Sequence, residues 1–361
     1  MSKDKTPSKD TAQDSAAKKP VKLPGKGRFY GVIALFFLIF IGALAAGGWL
    51  IWQEKIIKAM AVPGPSLVVK AFTVKPGSGA GAIARELETK GLIHHDFLFK
   101  MKTRLAGEGV TLKAGEYRIK PQASVNEIFA QLQSGKIVQH AVTVPEGRTV
   151  REIMDIVRAS PVLIGDLTEV PPEGSLLPET YLVTRGTTRK ALITRMQADM
   201  KAVLDQAWEG RDPKLPLRTK NEMLILASIV EKETGIAAER PQVAAVFVNR
   251  LRRPMRLESD PTILYGLNGG QPLGRGLRRS EIDRKTAWNT YQIDGLPPTP
   301  ICNPGRDALL AVAHPAPTKD IYFVADGTGG HIFAASYRAH LRNVSQWRKI
   351  ERQRKRNKKN K

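Results

Sequence analysis

The sequence predicts an α+β fold: a single N-terminal transmembrane helix, then a small α+β module, then a larger part mixing helices and strands. Three observations carry this. Residues 29–52 are an unbroken run of 24 uncharged residues. Short strand-like and helical runs alternate over residues 71–159. Longer amphipathic helices and Pro/Gly-punctuated loops then continue to residue 347.

The apolar run, FYGVIALFFLIFIGALAAGGWLIW, is long enough for a hydrocarbon core of about 30 Å at about 1.5 Å per residue. Tyr30 at one end and Trp49 and Trp52 at the other suit the two membrane interfaces. It exceeds the apolar core of a signal peptide, about 7–15 residues. The Ala59-Met60-Ala61 triplet follows only after Glu54, Lys55 and Lys58. The segment is therefore expected to be an uncleaved membrane anchor. Lys18, Lys19, Lys22, Lys26 and Arg28 crowd its N-terminal flank, so the N-terminus is expected in the cytoplasm and the bulk of the chain outside the membrane.

Formal net charge is +23 over 361 residues, unevenly placed. Residues 1–28 hold eight Lys/Arg against three Asp and read as a disordered basic leader. Residues 348–361 hold nine Lys/Arg against Glu351 alone. Both ends are expected to carry little fold. Such a charge calls for an anionic partner, acidic lipid included. With the tail facing away from the cytoplasm, nucleic acid is not the expected partner. Cys302, the lone cysteine, rules out an intramolecular disulfide.

Residues 53–70 form a Pro/Gly linker. Within the module, Ser124 with Glu127 makes a capping box closed by Gly135. Residues 173–187 read as a loop with an exposed Tyr181. Helices are expected over residues 189–208, from about 221 through the LASIVEKETG stretch, and over 239–252. Residues 253–319 read as loops that build a cleft. DIYFVADGTGGHIFAAS reads as a β-hairpin turning at Gly327, Gly329 and Gly330.

Six histidines without a helical His-x3-His pair argue against a metal site, and no cofactor is expected. No Gly-x-Ser-x-Gly or phosphate loop is present, and Cys302 lies in PICNPG with no nucleophile context. That leaves a carboxylate. Glu231 follows Leu224 by seven, Ala227 by four and Ser228 by three residues, so it shares their helical face, while Glu233 points toward solvent. A carboxyl against an apolar wall has its pKa raised and is suited to act as a general acid. The alternative is a solvated last turn. Ser259, Asp260, Thr262 and Tyr265, then Trp288, Asn289, Thr290 and Tyr291, concentrate hydroxyl, amide and aromatic groups as a carbohydrate groove does.

LASIVEKET, VFVNRL, SDPTILYG, TAWNTYQIDGLPPTPICNPG, AVAHPA and YFVADGTGGHIF, in this order, resemble the MltG (YceG-like) family of endolytic murein transglycosylases. The likeness runs over residues 173–347 and, more weakly, from Phe72. It implies a LysM-like α+β subdomain at 71–159 and a mixed helix/strand YceG-like catalytic domain at 160–347. It also implies a lyase that cleaves the N-acetylmuramic acid–β-1,4–N-acetylglucosamine bond of nascent peptidoglycan, leaving 1,6-anhydro ends without consuming water. By motif match the catalytic residue is Glu231, with Ser228, Asp260, Tyr265, Asn289 and Tyr291 binding substrate. Implied partners are peptidoglycan glycan strands, the cytoplasmic membrane and peptidoglycan synthases (penicillin-binding proteins), and the implied location is the cell inner (cytoplasmic) membrane with the catalytic part periplasmic, that is, extracytoplasmic. A hydrolase would need a second carboxylate, for which Asp260 is the candidate. A non-catalytic glycan-binding scaffold of the cell-wall synthesis machinery is the alternative class.

Overall fold

The protein is described by a computed structural model over residues 26–107 and 109–359. The expected leader, apart from its last three residues, lies outside the described residues. The chain forms two compact units. One takes in the chain up to Phe72 with Gly77–Lys113 and Ile119–Gly135; the other takes in Thr73–Pro76, Ala114–Arg118 and Lys136–Lys361.

The first unit opens with helix α1 (Lys26–Ala61). No proline interrupts it, and Pro63 stands just beyond its end. Its stretch Ile33–Ala61 is long and apolar enough to cross a membrane. After α1 come strand β1 (Lys70–Val74), helices α2 (Ala80–Thr89) and α3 (Asp96–Leu105), strand β2 (Gly115–Ile119) and helix α4 (Val125–Ser134). β1 pairs with β2. The capping box at the start of α4 forms as read: Ser124 and Glu127 bond reciprocally, and Gly135 ends the helix in the left-handed region. Phe72, Ile83, Leu87, Phe99, Ile128 and Leu132 are buried in this unit.

The second unit, which also takes in the end of β1 and all of β2 but Ile119, continues with β3 (His140–Thr143), α5 (Val150–Ala159) and β4 (Thr180–Val183). β3 and β4 pair antiparallel, His140 opposite Val183 and Thr143 opposite Thr180. Alternation along β4 turns Tyr181 and Val183 inward onto Val142, Ile153, Met154 and Val157. Tyr181 is therefore 1% exposed, with its hydroxyl donating to the Leu177 carbonyl at 2.8 Å, rather than standing out on a loop.

Helices α6 (Arg189–Glu209), α7 (Lys220–Glu233) and α8 (Arg240–Arg252) follow, with a 3-10 turn at Ala237–Glu239. Thr219 caps α7, its hydroxyl accepting from the Glu222 N–H. Every residue of α7 from Met223 to Val230 is buried, because α6, α8, α9 and α11 all pack against it. A helix apolar all round is a central one. The region read as loops contains three short helices, α9 (Asp260–Asn268), α10 (Arg279–Ile282) and α11 (Arg306–Ala313). Pro261, in the first turn of α9, suits its fixed φ to a helix start.

The hairpin forms as expected: β5 (Tyr322–Ala325) pairs antiparallel with β6 (His331–Ala334). Helix α12 (Tyr337–Lys359) then runs well into the basic tail. That tail carries structure because Trp347 and Ile350 pack on Gly327 in the hairpin turn, where φ is +90°, and Arg354 donates to the Gly327 carbonyl.

Ser228, expected in the groove, is a packing residue. It is fully buried, donates to the Ile225 carbonyl at 2.7 Å and accepts from the Ile301 N–H at 3.0 Å. The bond ties α7 to the 299–303 loop. Ser228→Ala strands the Ile301 N–H and is expected to cost about 1–3 kcal/mol of stability, read as a lowered midpoint of thermal unfolding. An unchanged midpoint would remove this role.

Candidate active site

Residues two apart on a helix point about 200° from one another, so Glu231 and Glu233 leave the last turn of α7 on opposite sides. Both sides are occupied: Glu231 has the buried setting and raised pKa expected of it, and Glu233, expected in solvent, is enclosed as well. The Glu231 side chain is 5% exposed and faces inward. Its Oε1 accepts from Arg240 Nη2 at 3.1 Å, and its Oε2 from the Gly305 N–H at 2.9 Å. Arg240, itself 8% exposed, also meets Glu146 at 2.9 Å and Asp307 at 3.5 Å. The Glu231 pKa is raised: burial pushes it up, and Glu146 and Asp307 add to this, against the Gly305 N–H and Arg240, which pull it down. Both oxygens are thus committed to the interior.

Glu233, expected in solvent, lines a cavity of about 430 Å³ with Arg250, Glu258, Asp260, Tyr291 and Tyr322. Only its Oε1 is engaged among the described residues, accepting from the Ser259 hydroxyl at 2.5 Å. Ser259 is fixed in turn: its N–H donates to Thr290 Oγ1 at 2.9 Å, and its carbonyl accepts from the Thr262 hydroxyl. Dense surroundings push the Glu233 pKa up to about 7. The Ser259 bond lowers it, the Asp260 carboxylate raises it, and His331 and Arg250 lower it. A carboxyl with this pKa holds a proton near neutrality and can release it within the cavity.

Two of the expected groove residues meet Glu233 there. Asp260, at the start of α9, accepts from the Tyr291 hydroxyl at 2.8 Å, and both line the cavity. Burial and the Asp260 charge raise the Tyr291 pKa, so its hydroxyl keeps its proton. The others are placed elsewhere. Asn289 is fully buried: its Nδ2 donates to the Ile282 and Arg284 carbonyls, and its Oδ1 accepts from the Tyr291 N–H at 3.0 Å. It shapes the loop that carries Tyr291. Tyr265 donates to Glu173 at 3.2 Å and packs on Trp288; burial and Glu173 push its pKa up to about 12. Tyr265, Asn289 and Ser228 do not line the cavity.

Several lining residues were not anticipated. Arg250 donates through Nε to the Ile321 carbonyl and through Nη1 to the Leu257 carbonyl, both at 2.7 Å, and meets Glu258 at 3.3 Å. Glu258 sits at φ +52°, a left-handed conformation that costs a non-glycine residue about 1–3 kcal/mol. Arg250, Tyr322, Phe323 and Val324 fall inside quoted motifs and Glu258 directly precedes one, so position in or beside a motif is the available signal. Tyr337 and His340 of α12 complete the lining, beyond the last motif.

Behind the cavity, Glu239 holds the α7–α8 junction to the hairpin. It accepts from the His331 N–H at 2.9 Å and the Thr234 hydroxyl at 3.2 Å, and meets His331 Nδ1 at 2.8 Å. Burial raises the Glu239 pKa, but the His331 bonds bring it below the usual carboxylate value. The described residues contain no cluster of His, Cys, Asp and Glu able to hold a metal ion.

The model of the YceG-like family matches residues 72–346. A Streptococcus pneumoniae (strain D39) protein named endolytic murein transglycosylase is 29% identical over 358 residues, spanning 86% of this chain. The chain covers 64% of that relative's length. A Bacillus subtilis (strain 168) protein of the same name is 26% identical, with 82% of this chain and 89% of the relative covered. A crystal structure of a YceG-like protein from Listeria monocytogenes aligns with a TM-score of 0.48 at 26% identity, covering 76% of this chain and 98% of that one. With the family match extending over most of its length, from the first strand into the last helix, this chain belongs to the YceG-like family.

Proposed function

We propose that this chain is a lytic transglycosylase of peptidoglycan, with Glu233 as its acid and base. The observation that carries the reading is a carboxyl of pKa about 7 lining a 430 Å³ cavity beside Asp260 and Tyr291. The relatives named endolytic murein transglycosylase supply the reaction class. The bond is the β-1,4 link from N-acetylmuramic acid to N-acetylglucosamine. Glu233 gives its proton to the glycosidic oxygen as the bond to C1 breaks. Its carboxylate then takes the proton of the C6 hydroxyl as that oxygen attacks C1. A 1,6-anhydro end forms, no water enters, and Glu233 is protonated again. The Asp260 side chain beside it favours the positive charge that develops at C1.

Glu231 belongs to the support of this acid. Its pair with Arg240 and its bond from Gly305 fix the last turn of α7 from the side away from the cavity. The placement of Asp260 in the same cavity favours one second reading, a hydrolase using it as the partner carboxylate. We read α1 as the anchor, with the N-terminus cytoplasmic and the catalytic part outside the membrane. The module at 71–159 is read as LysM-like, the part at 160–347 as catalytic, and peptidoglycan synthases as partners.

Digestion of purified peptidoglycan, with the products weighed, tests the reaction. Glu233→Gln is expected to lower release of anhydro-muropeptides by about 10²–10⁴-fold. Glu231→Gln is expected to cost about 1–3 kcal/mol of stability while the folded protein keeps activity within about tenfold. The opposite ranking of the two variants would return the role to Glu231. Reducing ends in place of anhydro ends would establish the hydrolase, and no cleavage the scaffold.

The same acid sets a pH dependence. The Glu233 pKa is raised in the folded chain, so the native state binds the proton more tightly than the unfolded one. Its contribution to stability is fully present below pH 4.5 and is lost as pH rises through about 7. Anhydro-product release is expected to fall over the upper part of that range, where the proton is lost. Glu233→Gln should flatten the stability profile between these values; an identical decline in the variant would assign it to another group.

A further inference from the structure

The cavity has a wall that the proposed reaction leaves unused. Tyr322 of β5 and His340 of α12 stack with ring centres 4.9 Å apart and planes at 19°. Tyr337, one turn before His340, lies 5.8 Å from Tyr322 at 54°. All three rings line the cavity with Glu233. Tyr337 is 60% exposed, a large aromatic surface left open at the rim. His340 Nδ1 is buried and has no hydrogen-bond partner among the described residues. Burial and then Arg250 push the His340 pKa down, against Glu258, which favours the neutral ring at physiological pH.

The charges of the cavity narrow what this wall accepts. With Glu233 holding its proton, Glu258 and Asp260 stand against Arg250 alone, and Arg250 is committed to the Ile321 and Leu257 carbonyls and to Glu258. A carboxylate-bearing peptide would therefore meet repulsion. A neutral pyranose would not. In a β-1,4-linked N-acetylhexosamine the substituents are equatorial, so the ring faces present axial C–H groups of slight positive charge. Aromatic faces carry negative charge density and attract them. The 430 Å³ volume lies in the usual range for small-ligand cavities.

We propose that Tyr337 and His340, backed by Tyr322, whose own faces are taken by His340 and Arg250, form a saccharide subsite that stacks on an N-acetylhexosamine ring adjoining the bond at Glu233. Helix α12 is then part of the substrate groove, since it supplies two of the three rings. The subsite's place in a reaction rests on the transglycosylase reading; its ligand class rests on the rings and the charge.

Titrating chitotetraose, an uncharged β-1,4-linked N-acetylglucosamine tetramer, into the full chain carrying Glu233→Gln in detergent tests this without turnover. His340→Ala and Tyr337→Ala are each expected to raise Kd about five- to tenfold, and His340→Phe to bring it back near the parent. Because Tyr337 is exposed, its variant should keep the parent unfolding midpoint. Unchanged Kd in both alanine variants would overturn the subsite, as would tighter binding of a free stem peptide than of the tetramer. If the unsubstituted chain releases anhydro products while the Glu233→Gln chain binds no tetramer, the subsite fails and the transglycosylase reading stands. Ring-dependent binding without any anhydro release would support the subsite and sink that reading instead.

Discussion

The end of α7 places two carboxyl groups, two residues apart, into protein on both sides. Burying a carboxylate is costly unless it is paired or protonated. The fold uses one remedy on each side. Glu231 is offset by the Arg240 guanidinium and a backbone N–H, at a point where Gly305 has no side chain to obstruct Glu146. Glu233 meets Ser259, and its surroundings favour the neutral acid. One helical turn thus carries a carboxyl paired with a guanidinium and another that leans toward its neutral form.

The neighbouring elements are arranged about this turn. Arg240 opens α8, so the pair with Glu231 fixes the angle at which the chain leaves α7 and begins the next helix. Glu239, one residue earlier, ties that junction to β6 through His331. Gly330 makes room for it: a Cβ there would collide with the Glu239 carboxylate. The hairpin in turn presents Tyr322, Phe323 and Val324 to the cavity. The proposed reaction needs little movement of polar groups as charge develops, and these bonds hold the groups around the cavity in place.

Local rules read much of the fold correctly. The capping box at Ser124, the hairpin at Gly327–Gly330 and the helices around residues 189–252 follow from short-range geometry. The site was legible as a set of motifs but not atom by atom. Helical spacing separates Glu231 from Glu233 without saying which side carries the cavity, because α7 is buried all round and has no solvent face to orient it. Ser228 and Asn289 look like ligand groups in sequence, yet their polar atoms are used up on backbone partners. Tyr181 and α12 were misread for a related reason. What packs on them, the core against β4 and the turn at Gly327, comes from residues distant in sequence or lacking a side chain.

The lone cysteine has a use that follows from its position. Cys302 is fully buried, and its thiol lies 3.3 Å from the Ser228 carbonyl on α7. Burial raises its pKa well above the usual thiol value, so the native chain offers almost no thiolate to an alkylating reagent. Modification therefore requires the 299–303 loop to part from α7. With no second thiol to confuse the signal, labelling kinetics at this atom become a clock for the opening of the seam behind the acid.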